Sequence, residues 1–178
     1  GVSCGGGGSS WGAFGASSNN NSGAIKPGNT GSIRPIFGGG SSTPSSSCSY
    51  GSTLQVLTGS AIPDNWVVTA MSGSYYRTIK CVAGATYGRS ETVLLGSPIP
   101  ANWVVTRATS TNYRDIMYLG GASYGSSTWV LLGSPIPSNW VISRASGTSR
   151  YIEYLAGASY GVEKWVMMGS PLPNGWVV

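Results

Sequence analysis

The chain has 178 residues, of which only 8% are charged, against a usual quarter or so, so Ser, Thr, Asn and backbone must keep its surface in water. Its net charge of +5 comes from scattered residues: Lys26, Arg34, Arg77, Lys80, Arg89, Arg107, Arg114, Arg144, Arg150 and Lys164. Without a basic run there is no nucleic-acid footprint, and no stretch approaches the roughly 20 apolar residues that a membrane-spanning helix needs.

Residues 1–50 are half Gly and Ser, with thirteen of each. On composition alone such a stretch is a flexible linker, because its few apolar groups cannot offset the entropy of ordering it. Its anchors are Trp11, Phe14, Ile25, Ile33, Ile36 and Phe37, and the expectation is an extended arm pinned by packing at those residues. Pro27 and Pro35 interrupt its best strand candidate, Ile25 to Phe37, and proline is poor inside a central strand. The chain opens at Gly1 with no signal peptide, the pattern of a processed, exported protein.

Three cysteines are present, Cys4, Cys48 and Cys81. Cys4 and Cys48 bracket the arm, and a bridge between them would close it into a loop worth about 4 kcal/mol by chain entropy. Cys81 then reads as a packed free thiol, and the odd count leaves an intermolecular bridge open.

From Ser52 onward a unit of about 37 residues recurs, over 52–88, 89–125 and 126–161, and a half-copy follows at 162–178. Each unit predicts three short strands. The first is an apolar block (Leu54–Leu57, Thr92–Leu95, Thr128–Leu132, Lys164–Met168). The second begins at Trp66, Trp103, Trp140 or Trp176, and the third covers Tyr76–Val82, Tyr113–Leu119 and Tyr151–Leu155. Val, Ile, Thr, Tyr and Trp fill these segments, while Gly, Pro, Asn and Ser punctuate them. The fold class is therefore all-β, a series of stacked, sandwich- or solenoid-like repeats. Consecutive apolar residues predict two covered faces for the first two strands. Alternation in the third predicts one wet face.

Chemistry is not what the pattern points to. The chain has no histidine, the commonest general base near neutral pH. Its five carboxylates, Asp64, Glu91, Asp115, Glu153 and Glu163, share no motif, and no Cys-x-x-Cys, nucleophile elbow or phosphate loop occurs. The expectation is no catalytic residue, no metal and no cofactor.

What recurs is aromatic: the four tryptophans, with Tyr50, Tyr87, Tyr124 and Tyr160 at the same period. One reading is a glycan site per repeat, with Trp66, Trp103, Trp140, Tyr87, Tyr124 or Tyr160 stacking on a sugar and Asn65, Asn102 or Asn139 hydrogen-bonding it. The favoured reading is core packing beneath the Pro-Ile-Pro turn. An unfinished repeat presents unpaired strand edges, with Trp165 and Trp176 at the open end. That pattern implies an extracellular, self-associating building block whose partner is itself, the arm of one copy completing the half-repeat of the next.

Overall fold

The structure, a computed structural model, describes residues 44–178. The arm residues Trp11, Phe14, Ile25, Ile33, Ile36 and Phe37, and Cys4, lie outside the described residues.

Nine strands form three antiparallel sheets, one per complete repeat. They are β1 (Thr53–Leu57), β2 (Trp66–Ser72) and β3 (Tyr76–Cys81); β4 (Ser90–Leu94), β5 (Trp103–Ala108) and β6 (Tyr113–Tyr118); and β7 (Ser127–Leu131), β8 (Trp140–Ser146) and β9 (Ser149–Tyr154). Within each sheet the last strand in sequence is the middle strand in space, in the orders β1-β3-β2, β4-β6-β5 and β7-β9-β8. The connection carrying the two prolines therefore crosses from one edge to the other. Its isoleucine, Ile62, Ile99 or Ile136, packs into the core as it does so.

The sheets stack face to face. Val67 and Val82 of the first repeat share a core with Val93, Trp103 and Ile116 of the second. Val104 and Leu119 of the second do the same with Val130, Trp140 and Ile152 of the third. Successive residues of one strand thus serve opposite neighbours: Val104 faces forward and Val105 faces back. This is why Trp-Val-Val reads as an unbroken apolar run. Two covered faces hold for the strands that begin at tryptophan.

The first strands behave differently from expectation. In β1, β4 and β7 only Val56, Val93 and Val130 are buried, and the apolar residues beyond, Leu57, Leu95 and Leu132, are exposed. The cause is position: these are edge strands, so their outer flank has no neighbour. The third strands, expected to be half wet, lie between two partners. Ile79, Ile116 and Ile152 at their centres are fully buried, and the flanking residues are mostly half-buried.

The cysteine expectation is corrected. Cys48 bridges Cys81, with their Cα atoms 6.2 Å apart, so Cys81 is no free thiol and Cys48 does not pair with Cys4. The physical reason lies in the repeat. Cys81 stands opposite Trp66, where Tyr118 faces Trp103 and Tyr154 faces Trp140. Those tyrosines lie against their tryptophans with ring centroids 5.4 Å apart. Residues 45–50 occupy the place held between later repeats by Val82–Tyr87, which brings Cys48 to the position of Ala85. Gly51 N–H donates to Cys81 O at 2.9 Å, as Gly88 does to Tyr118 O at 2.9 Å and Gly125 to Tyr154 O at 3.0 Å. Trp66 Nε1 donates to Ser45 O at 2.6 Å. The disulfide thus fastens a cap on the first repeat where aromatic pairs serve the others.

Candidate functional site

The site is the junction between repeats and the face at which the series of junctions stops. Each tryptophan-led strand carries a β-bulge, at Thr69, Thr106 and Ser143, which turns one backbone N–H out of the ladder. The serine of the next repeat's Gly-Ser-Pro turn meets it. Val68 N–H donates to Ser97 Oγ, Val105 N–H to Ser134 Oγ and Ile142 N–H to Ser170 Oγ, each at 2.8 Å. Each hydroxyl donates in turn to the carbonyl of the proline that follows it, at 3.1, 3.1 and 3.0 Å. A strand edge that would otherwise present an orphan donor is closed by one side chain.

Asparagine recurs just before each tryptophan for a backbone reason. Asn65, Asn102 and Asn139 have φ of 67°, 64° and 68°, the left-handed region that asparagine tolerates better than most side chains. Their carbonyls accept from Val82, Leu119 and Leu155 at 2.8, 2.8 and 2.9 Å. The fourth copy has Gly175 there, at φ 86°.

Charge marks individual junctions. Between the first and second repeats Lys80 Nζ reaches Glu91 Oε2 at 2.7 Å, while Tyr50 donates to Glu91 and Arg89 Nε donates to Tyr50 at 2.7 Å. Burial works against the Glu91 carboxylate, but the bonds from Lys80 and Tyr50, with Arg89 nearby, hold it below its ordinary range. Burial and the bond to Glu91 push the Tyr50 phenol up. Asp115 also sits below its ordinary range, because bonds from Thr92, Arg107 and Thr109 outweigh burial.

The fourth copy docks as the others do but does not finish. Met167 N–H donates to Ile142 O at 2.8 Å, and Glu153 pairs with Lys164 at 3.9 Å. Lys164–Met168, expected as a strand, forms no ladder, since no central strand lies beside it among the described residues. A groove of about 1000 Å³ opens there, lined by Leu155, Tyr160, Trp165, Trp176 and Val177 among others. Val67, Val104 and Val141 are 0% exposed, whereas Val177 at the same position is 92% exposed. Trp165 is 94% exposed and Trp176 half-buried.

The structure therefore brings Trp165 and Trp176, both predicted for the open end, to one groove. Of the residues proposed for sugar stacking, Trp66, Trp103 and Trp140 are 3%, 2% and 1% exposed, with no ring face open, while Tyr87, Tyr124 and Tyr160 point outward. Sequence reasoning missed Ser97, Ser134 and Ser170. Their signal was a serine fixed at one turn position, which drew less notice than the prolines beside it. Among the described residues no three metal-ligating side chains cluster, and no helix is long and apolar enough to cross a membrane.

Compared with protein-family models, curated proteins and solved structures, the chain matches none.

Proposed function

We propose that the chain is a structural subunit of an extracellular filament or pilus-like appendage. Subunits assemble head to tail, the N-terminal segment of one copy completing the C-terminal half-repeat of the next. One observation carries this reading. Every junction within the chain uses the same serine clasp and the same valine face, and the last such face is displayed uncovered, with Val177 and Trp165 almost fully exposed. Further polypeptide of the same kind is its natural complement. A contact between unlike ends of identical copies is heterologous, and unless it closes into a ring it propagates.

Two further features support it. The Cys48–Cys81 bridge suits an oxidising, extracellular compartment. A surface with 8% charged residues offers little repulsion between copies.

The test compares the intact chain with a chain lacking residues 1–43, keeping Cys48 and the cap. Sedimentation and negative-stain microscopy should show polymers of the first and a folded monomer of the second. Polymers of equal length from the truncated chain would show that the N-terminal segment is not the donor.

A further inference from the structure

The sequence Arg-x-Ile occurs four times in the chain: Arg34-Pro35-Ile36, Arg77-Thr78-Ile79, Arg114-Asp115-Ile116 and Arg150-Tyr151-Ile152. Three of the four lie in β3, β6 and β9, the central strand of each sheet, where the isoleucine is 0% exposed. The fourth precedes the cap that residues 45–50 form on the first repeat. Residues 162–178 carry the sequences of a first and a second strand but not of a third. The two ends of this chain thus hold complementary parts of one sheet.

We propose that residues Arg34–Gly38 of a second copy enter the open groove as its central strand, between Glu163–Met167 on one side and Trp176–Val178 on the other. This deepens the reading of the chain as a self-assembling subunit and rests on it. The register follows from the complete repeats. There the residue four beyond the arginine faces the tryptophan, as Cys81 faces Trp66, Tyr118 faces Trp103 and Tyr154 faces Trp140. The arginine itself faces the valine of the first strand, as Arg77 faces Val56 and Arg114 faces Val93. The same alignment sets Gly38 opposite Trp176, Phe37 opposite Val177, Ile36 opposite Val178 and Arg34 opposite Val166.

Two independent features fit this register. The first is Pro35, which seems at first to forbid a central strand. It takes the position of Thr78, Asp115 and Tyr151, and in every sheet that residue lies where the β-bulge interrupts the ladder. A bulge is one of the few places where a sheet tolerates a residue without an N–H. The second is the residue that faces the following repeat. Lys80 there meets Glu91, and Glu153 meets Lys164. Phe37 takes this position in the inserted strand, and the residue matching Glu91 in the first repeat of its own copy is Leu54. Apolar meets apolar where cation meets anion elsewhere.

Reach decides between the same chain and another. Cys48 and Ser45 are fixed on the first repeat, and the stretch from Gly38 to Ser45 spans at most about 25 Å when fully extended. The open groove lies beyond three stacked sheets, which at about 10 Å apiece is roughly 30 Å or more away. The inserted strand must come from a neighbour, whose capped first repeat then continues the stack.

The experiment uses full-length chains in which Cys4 is replaced by Ser, one carrying Phe37→Cys and the other Val177→Cys. The two are mixed, allowed to assemble and oxidised gently. Facing strand residues have the separation a disulfide needs, so a covalent dimer should form in the mixture and be scarce with either chain alone. Moving the first cysteine to Ile36→Cys, one residue out of register, should cut the yield about tenfold, because alternate side chains leave opposite faces of a strand. If polymers form normally but the 37/177 pair gives no linked product, the strand assignment is wrong while the polymer reading stands. If no polymer forms under any condition, both fail. If a chain bearing both cysteines closes on itself as a monomer, insertion from a neighbour is wrong.

Discussion

Lys80 and Glu91 pair at 2.7 Å across the first junction, and at the third junction Glu153 and Lys164 occupy the same two positions with the charges exchanged. Each pair is half-buried between stacked sheets, where a mismatched partner leaves an uncompensated charge. The arrangement tells one junction from another although their apolar residues are nearly identical. Lys80→Glu should therefore destabilise the protein by roughly 1–3 kcal/mol in urea denaturation, by setting like charges together. The double exchange Lys80→Glu with Glu91→Lys should recover most of that loss. No recovery would mean that the pair does not act as a unit.

The serine clasp gives a second outcome. Ser134→Ala removes the acceptor of the part-buried Val105 N–H and should cost about 1–3 kcal/mol. Ser60→Ala, at the same turn position of the first repeat, should cost much less, because no bulged N–H reaches that hydroxyl among the described residues. Equal losses at the two sites, measured by chemical denaturation, would contradict the clasp.

Backbone conformation predicts a third. Asn102, at φ 64°, should accept Gly with a change within about 0.5 kcal/mol, as Gly175 already serves that position in the fourth copy. Asn102→Val should lose about 1–2 kcal/mol, since a β-branched side chain is strained in the left-handed region. If Asn102→Gly were as harmful as Asn102→Val, the side chain and not the backbone would explain the recurring asparagine.

Acid should loosen the first two junctions. The Glu91 and Asp115 carboxyls titrate below their ordinary values of 4.5 and 3.8 when folded, so the folded state binds fewer protons than the unfolded. Their contribution is complete above about pH 4.5 and is lost as pH falls through the depressed folded values. Denaturation midpoints should thus drop between about pH 5 and pH 3, and Glu91→Gln should flatten part of that slope. An unchanged slope in that variant would remove Glu91 from the account.

Peptide mapping of the oxidised protein should recover Cys48 linked to Cys81. Replacing both with Ser should cost about 3–4 kcal/mol for the 33-residue separation, by loop entropy.

Much of this architecture can be read without coordinates, because tandem copies repeat their errors and their rules alike. The three strands per copy follow from the spacing of Trp-Val-Val and Arg-x-Ile between Gly and Pro turns. What the letters hide is spatial order. Nothing in Tyr113–Tyr118 says that it lies between its two predecessors, so its apparent solvent face belongs to the next sheet. The disulfide was hidden for a related reason. Cys4 and Cys48 looked like a bracket around the glycine-rich arm, whereas aligning Ser45–Tyr50 with Val82–Tyr87 sets Cys48 beside Cys81. The open end was legible through Trp165 and Trp176, but the way junctions lock was not, since a hydroxyl meeting a bulge exists only once two repeats touch.

The central claim is that the uncovered face of the fourth copy is filled by another copy, and the axial repeat of the assembled protein tests it most directly. Four stacked sheets at about 10 Å apiece predict filaments that repeat every 40 Å or so along the axis, and Val177→Asp should abolish them. A monodisperse monomer at all concentrations, or filaments indifferent to Val177→Asp, would contradict the account.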